Sequence, residues 1–275
     1  MTKRINSMKG TFSNLDSNAK LFIELNRQKP QWWELFKNDH ELYIEIRKDN
    51  YINVYYQGGA IAKINYKGDF VAEIHPKYLG KESGPYCSLD LNSLSPAILS
   101  DIKRNIEKEY SAKTNKEAPP EKLIQGQLII SNTKYIDSEL QYNQDSDIGL
   151  LRIDLVELSN GHLSFVELKG ITDSRLRNDE KRNTNIPEII LQMQKYKSFI
   201  NNRRNELKEY YSNLINIKRS LGLTTLDNAF EINASPKLLI ANTYTKPTKG
   251  RTERINAIEE LLTKHNIDYE IIKWV

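Results

Sequence analysis

Cysteine and histidine are scarce in this sequence. The single cysteine among 275 residues, Cys87, excludes a disulfide framework and any zinc site built from several thiolates, and it is typical of a reducing compartment. The four histidines are scattered along the chain, which leaves few ligands for a histidine-built zinc site. We therefore expect the chemistry of the protein to depend on carboxylates and lysines.

Long apolar runs and a large net charge are also absent. No run approaches the ~20 residues that a membrane-spanning helix needs, and no signal-peptide hydrophobic region follows the basic opening MTKRINSMKG. We therefore expect a cytoplasmic protein with no membrane partner. A formal net charge of +4 excludes a polybasic protein that binds nucleic acid by charge alone. The length and the 39% of hydrophobic residues allow one large domain or two small ones.

Residues 1–118 are predicted to form a small α+β module. Within residues 41–75, four short segments rich in Ile, Val and Tyr are separated by the turn compositions KDN, GG and KGD, which predicts a four-stranded antiparallel meander. Residues 18–37 are predicted to be helical. We expect the aromatic side chains of that helix, Trp32 and Trp33 among them, to cover one face of the meander in preference to stacking on bases.

A domain boundary is predicted near residue 118. Proline, glycine and serine make residues 76–95 a predicted loop, and helical periodicity returns over residues 96–110. The polar stretch at residues 111–120 ends in two prolines, which is the clearest linker signal in the chain. The module before the boundary, whose expected role is recognition or partner binding of an unknown kind, is thus separated from residues 119–275.

The second part is predicted to be an α/β domain with a mixed sheet flanked by helices. Its predicted elements are a helix at 121–131, strands at 149–158 and 162–171 joined by the turn SNG, helices at 187–200 and 203–219, a strand at 237–242, a helix at 251–265 and a strand at 267–275.

Three charged residues lie within the predicted hairpin. Asp154 is surrounded by apolar neighbours in the first strand, while Glu167 and Lys169 are two residues apart in the second and therefore share a face of the sheet. Buried charges are costly unless they are compensated. A divalent cation such as Mg²⁺, which prefers oxygen ligands, would compensate the two carboxylates and activate a bound water. The lysine is placed to steer that water or to stabilise a phosphate in the transition state.

Asp154, followed thirteen residues later by Glu167-Leu168-Lys169, resembles the D…(E)xK motif of the PD-(D/E)XK nuclease superfamily. The resemblance covers residues 119–275 and implies a restriction-endonuclease-like fold. It also implies that the aspartate and the glutamate bind Mg²⁺ and that the lysine assists the attacking water. One departure is that Ile153 stands where the family motif has proline.

The sequence QMQKY downstream of the hairpin is similar to the Q-h-x-x-Y motif of the RecB-like branches of this superfamily. Gln192 and Tyr196 are its outer residues, and their i, i+4 spacing puts them on one helix face. The superfamily also implies a further acid from the helix before the hairpin. Glu121 fits that position, although a glutamate is favoured in any first helical turn. Glu139 is the rival.

Basic residues near the motif are candidates for contacts with phosphates. Arg175 and Arg177 follow the E-x-K strand in the segment 171–185, which is predicted to be a loop at the rim of the site. The segments 195–219 and 245–254 carry local excesses of lysine and arginine, which form either a positive groove or a solvated surface.

The resemblance implies Mg²⁺-dependent hydrolysis of phosphodiester bonds in DNA, with Mn²⁺ able to substitute, in restriction, phage defence or DNA repair. Two alternatives stay open: a nucleic-acid-binding or assembly protein on the same fold that does not cleave, and a nuclease that acts on RNA. The sequence has no P-loop motif, so any nucleotide-driven motor would be a separate subunit. A homodimer or a separate recognition subunit is equally compatible with the sequence.

Overall fold

Two β-sheets and the helices packed on them make up the structure. The computed structural model describes residues 15–111, 118–142, 150–177 and 186–274. The chain is a mixed α/β protein, with one antiparallel sheet of five strands and one mixed sheet of six. Among the described residues, no helix is long and apolar enough to cross a membrane. The opening MTKRINSMKG, most of the predicted linker and the second half of the predicted rim loop lie outside these ranges.

The first sheet and its helices follow the predicted order. The elements are α1 (Lys20–Gln28), α2 (Gln31–Asn38), β1 (Leu42–Arg47), β2 (Tyr51–Tyr56), β3 (Gly59–Tyr66), β4 (Phe70–Ile74), a short 3-10 helix (Pro76–Leu79), β5 (Cys87–Leu89) and α3 (Pro96–Ser111). The four-stranded meander is confirmed, and β5 adds a fifth antiparallel strand beside β4. The prediction of an unbroken loop over 76–95 is therefore wrong.

The predicted helix over residues 18–37 is interrupted. Proline lacks a backbone N–H and disfavours helical backbone at the residue before it, and Lys29, which precedes Pro30, has the left-handed φ of 44°. Two helices result. The second buries Trp32 and Trp33 in the apolar cluster beneath the meander, which confirms that these side chains belong to the core.

The second sheet carries the predicted hairpin. Its elements are α4 (Glu121–Ser131), β6 (Tyr135–Tyr142), β7 (Leu151–Ser159), β8 (His162–Gly170), a 3-10 helix (Ser174–Leu176), α5 (Glu188–Asn202), α6 (Arg204–Ser220), β9 (Glu231–Ile232), β10 (Lys237–Asn242), α7 (Lys249–Lys264) and β11 (Asp268–Lys273). The strand order is β11-β10-β8-β7-β6, with the short β9 beside β8. Because β10 runs parallel to β8 and β11 while β7 runs antiparallel to β8, the predicted mixed sheet is confirmed.

Helices cover both faces of the second sheet. Side chains alternate between the faces along β10: Leu238 and Ile240 pack in one apolar cluster with Met193 of α5, while Leu239 packs in another with Ile124 of α4. The helix α5 and the helix α4 are therefore held on opposite sides of the hairpin. This arrangement brings residues from both helices to the edge of the same pair of strands.

The two parts of the chain are joined by more than the linker. One apolar cluster contains Trp33 and Ile46 from the first part together with Ile136 from the second. The turn between β2 and β3 also lies directly on α4, because a Cβ on Gly58 would be 2.8 Å from the carbonyl oxygen of Lys122. Gly58 has a φ of +83°, so any side chain there would be strained as well as crowded.

A buried ionic network adds a polar connection between the parts. Lys218 of α6 donates to Glu45 of β1 at 3.0 Å, and Arg47 of β1 donates to Asp137 of β6 at 3.0 Å. The hydroxyl of Tyr211 lies 3.1 Å from Asp137 Oδ2. The two acids are almost fully buried, so each depends on its basic partner for compensation of its charge.

The network predicts a pH dependence of stability. Burial, together with the nearby charge of Glu45, raises the pKa of Asp137 from 3.8 to about 7 against the opposing effect of Arg47. At any pH between these two pKa values, Asp137 is protonated in the folded state and ionised in the unfolded state. The free energy of unfolding is therefore expected to fall as the pH rises from about 4 to 7, by up to about 1.4 kcal/mol per unit.

Urea unfolding of the wild type and of Asp137→Asn at several pH values measures this effect. The fall is expected to be smaller in Asp137→Asn, where the raised pKa of Glu167 still contributes to it, and unchanged in the control Asp227→Asn, whose carboxylate is 76% exposed. The same dependence of the free energy of unfolding on pH in the wild type and in Asp137→Asn would contradict the raised pKa of Asp137.

Candidate active site

Strands β7 and β8 place three charged side chains side by side. The register pairs Leu155 with Val166, which puts the preceding Asp154 beside the following Glu167. The backbone N–H of Leu168 donates to Asp154 Oδ2 at 2.9 Å, which fixes that carboxylate against the neighbouring strand. Sequence spacing predicted this juxtaposition, and the hairpin produces it.

The ammonium group of Lys169 lies among three carboxylates. It forms an ion pair with Glu167, and its Nζ lies 3.5 Å from Asp154 Oδ2 and 3.4 Å from Glu121 Oε2. It also donates to the carbonyl oxygen of Leu168 at 2.5 Å. The Lys169 side chain is only 1% exposed, whereas Glu121 is 37% exposed at the mouth of the site. Three acids therefore converge on a single buried cation.

This excess of acid perturbs the pKa values of the cluster. Burial, and then the charge of Asp154, raises the pKa of Glu167 to about 8. Burial also raises the pKa of Glu121. Burial alone would lower the pKa of Lys169, but Glu167, Asp154 and Glu121 outweigh it and raise the pKa. The carboxylates are thus less than fully compensated by Lys169, and additional positive charge at this point would be favourable.

The helix α5 supports Glu167 from the other side. Gln192 Nε2 donates to Glu167 Oε1 at 2.6 Å and to the Tyr196 hydroxyl at 2.7 Å. That hydroxyl lies 3.1 Å from Glu167 Oε2 and donates to the backbone oxygen of Arg152. Burial, and then the charge of Glu167, raises the pKa of Tyr196, so its hydroxyl keeps its proton. The two residues of the Q-h-x-x-Y sequence therefore orient one carboxylate of the cluster.

The helix α4 contributes Glu121 and one residue that sequence reasoning missed. Gln125 is one helical turn after Glu121, and its Nε2 donates to the backbone oxygen of Asp154 at 2.5 Å. The i, i+4 spacing from Glu121 was the available signal. The rival acid, Glu139, lines the same cavity but forms ion pairs with Arg152 and Lys122 instead of Lys169. Of these two acids, Glu121 is thus the one that contacts Lys169.

The two arginines after β8 occupy different places. Arg175 lines the cavity with its guanidinium 4.0 Å from Glu121 Oε2, and Asp173 holds it through hydrogen bonds of 2.6 and 3.0 Å. Arg177 instead lines a separate cavity of about 380 Å³ with Arg254, which donates to the backbone oxygens of Ile171 and Asp173. The structure therefore does not bring Arg177 to the carboxylate cluster.

Several cations of the basic segment 195–219 are engaged within the protein. Arg203 forms an ion pair with Glu206, and Lys208 forms one with Glu231. Lys218 is buried in the ionic network of the first sheet. These contacts reduce the positive charge that α6 offers to a polyanion.

The predicted site residues other than Arg177 share a cavity of about 350 Å³. Within the described ranges, no group of three or more His, Cys, Asp or Glu side chains is arranged to hold a metal ion as it stands. The donor set nevertheless fits Mg²⁺: it consists of carboxylate oxygens, and Glu167, whose pKa is raised by burial and by Asp154, lacks full compensation. No protein-family model, curated protein or solved structure matches the chain.

Removing the Tyr196 hydroxyl is expected to loosen Glu167 without emptying the core. Tyr196→Phe keeps the ring but loses the bonds to Arg152 and Gln192, and we expect the free energy of unfolding to fall by about 1–2 kcal/mol. Urea denaturation measures the loss, with Tyr269→Phe on β11 as the control at a half-buried tyrosine outside the cavity. An unchanged midpoint for Tyr196→Phe would show that these bonds do not stabilise the site.

Proposed function

We propose that the chain is a metal-dependent nuclease that hydrolyses phosphodiester bonds in DNA. The observation that carries the proposal is the convergence of Glu121, Asp154 and Glu167 on the buried ammonium of Lys169 in an open cavity. Titratable groups that line a cavity and whose pKa values are perturbed by burial and by specific charged neighbours are typical of functional sites. The fold that this proposal implies for residues 119–275 is the restriction-endonuclease-like one.

Asp154, Glu167 and Glu121 are the residues that would hold Mg²⁺, or Mn²⁺ in its place. A divalent cation bound by these oxygens would supply positive charge for the phosphate and lower the pKa of a water molecule. Hard-cation chemistry also suits a chain with one cysteine and four histidines.

The protein's own residues orient the reacting groups. Gln192 donates to one oxygen of Glu167, the Tyr196 hydroxyl lies 3.1 Å from the other, and Gln125 donates to the backbone of Asp154. The ammonium of Lys169 is placed to orient the attacking water and to stabilise negative charge that develops on the phosphate. Arg175, half-buried at the rim and held by Asp173, would contact a phosphate of the substrate backbone.

The test compares cleavage of plasmid and oligonucleotide DNA by the wild type and by Asp154→Asn, with Mg²⁺, Mn²⁺ and chelator. Asp154→Asn is expected to lose at least about 10²-fold in rate, because it removes a charge from the cluster. The control Asp227→Asn, at an exposed aspartate, is expected to cleave like the wild type. Metal-dependent cleavage that is unchanged in Asp154→Asn would contradict the site, and matched RNA strands in the same assay decide between DNA and RNA.

A nucleic-acid-binding or assembly protein that does not cleave is the second candidate. It is favoured by the ion pair between Lys169 and Glu167, which gives the cluster a cation without any metal. Tight binding without cleavage under all metal conditions would support it. For the nuclease, the proposed setting is the cytoplasm, in restriction, phage defence or repair, with a second copy or a motor subunit where both strands are cut.

A further inference from the structure

The five-stranded sheet has one face that is only partly covered. The row Glu45, Asn53, Lys63 and Glu73 crosses this face from β1 to β4, as the strand registers show. Its β1 end is buried, because Glu45 meets Lys218 of the second part. Its other end is open, and Glu73 is exposed. The face that carries Lys63 is therefore covered by the second part of the chain at its β1 end and exposed to solvent at its β4 end.

Aromatic side chains surround a cavity at this open end. The cavity has a volume of about 440 Å³ and is lined by Tyr55, His75, Tyr78 and Tyr86, among others. The imidazole ring of His75 contacts the rings of both Tyr78 and Tyr86, at centroid distances of 5.7 and 5.6 Å. Tyr86 is 58% exposed, so its ring is accessible from solvent. A flat, exposed ring supported by neighbouring rings is suited to stacking.

This aromatic cavity adjoins the candidate active site. Lys122 and Glu139 line both cavities. Lys122 is half exposed and directly follows Glu121, while Gly58 packs its turn against the backbone of Lys122. The negative charge of Glu139 at the junction is compensated by Lys122 and Arg152. At the junction itself, a chain with negative phosphates would thus meet a carboxylate whose charge is compensated.

We propose that the aromatic cavity binds an unpaired stretch of the strand whose phosphodiester lies at the carboxylate cluster, with bases stacked on Tyr86. The proposal rests on the proposed function and assigns a role to the N-terminal sheet. Bases in a duplex present only their edges, whereas stacking on side chains requires the exposed faces of unpaired bases. The cavity lining contains both signs of charge, Lys63 and Lys122 with Glu73 and Glu139, so stacking contributes more to binding here than charge.

The experiment measures binding of a labelled single-stranded DNA of about 12 nucleotides and of the matched duplex by fluorescence anisotropy. The full chain is used, with chelator present so that no cleavage occurs. Tyr86→Ala is expected to weaken single-strand binding by at least about fivefold and to leave duplex binding unchanged. Tyr86→Phe keeps the ring and is expected to bind like the wild type. The control Ile23→Ala removes an apolar side chain of similar exposure, 47%, from α1.

Single-strand affinity that is the same in Tyr86→Ala as in the wild type would overturn the proposal. An equal loss for the duplex, or an equal loss in Tyr86→Phe, would overturn it as well. Cleavage by the same variants with Mg²⁺ separates the two ideas. If cleavage is lost in Asp154→Asn but unaffected by Tyr86→Ala, the result supports the nuclease and contradicts the stacking surface. If single-strand binding requires the ring of Tyr86 but no cleavage occurs with any metal, the result supports the stacking surface and contradicts the nuclease.

Discussion

Replacing Lys169 by methionine is expected to lower the rate of metal-dependent cleavage by about 10²–10³-fold. The substitution keeps the length and apolar stem of the side chain but removes the ammonium that contacts Glu121, Asp154 and Glu167. The fold is expected to survive, because the pKa of Glu167, already about 8, would rise further and leave the buried carboxyl neutral at pH 7.

Single-turnover cleavage with saturating enzyme is the appropriate measurement, since it reports the chemical step without product release. A thermal shift caused by Mg²⁺ separates the role of the lysine from that of the acids. Lys169→Met is expected to retain a Mg²⁺-dependent rise in Tm, whereas Asp154→Asn is expected to lose it. The control is Lys249→Met, because Lys249 is 91% exposed on α7. A cleavage rate of Lys169→Met within a few-fold of the wild-type rate would show that the lysine does not take part in the mechanism.

The motif residues were predictable because each depends on short-range geometry. Two residues along a strand share a face, and four residues along a helix share a side. Those rules placed Glu167 with Lys169 and Gln192 with Tyr196, and the structure shows both pairs in contact. Which helix meets which strand depends on long-range packing, so Gln125, which binds the backbone of Asp154, was not identified from the sequence.

Other features were hidden by local patterns that conflict with the tertiary structure. The strand β6 contains Asp137 and Ser138, polar residues that break the apolar alternation of a half-buried strand, yet both are buried. Partners from distant segments, such as Arg47, compensate them. Likewise, Arg175 and Arg177 are neighbours in sequence, but the short 3-10 helix Ser174–Leu176 directs them to different cavities.

Replacing Lys218 by methionine is expected to lower the free energy of unfolding by about 3–5 kcal/mol. The ammonium of Lys218 donates to Glu45 at 3.0 Å and to the carbonyl oxygen of Ile136 at 2.6 Å. Its loss leaves Glu45, which is 1% exposed, without its hydrogen-bonded cation. Removing one partner of a buried pair costs far more than replacing both, so the double variant Lys218→Met/Glu45→Met is expected to recover most of the stability.

Urea unfolding followed by circular dichroism measures these differences, with the m-value as a check that the unfolded state is unchanged. The control Lys208→Met removes the exposed ion pair with Glu231 and is expected to change stability by less than about 1 kcal/mol. A loss of that small size in Lys218→Met would contradict the role of the network.

The same unfolding curves also test the predicted boundary near residue 118. Glu45 lies in β1 and Lys218 in α6, so the ion pair joins the two parts of the chain. If the parts unfold as one cooperative unit, Lys218→Met shifts a single transition. If they unfold separately, the substitution weakens their contact and splits the curve into two transitions. A shared apolar cluster that contains Trp33, Ile46 and Ile136 favours the single transition, because neither part could expose that cluster without losing stability.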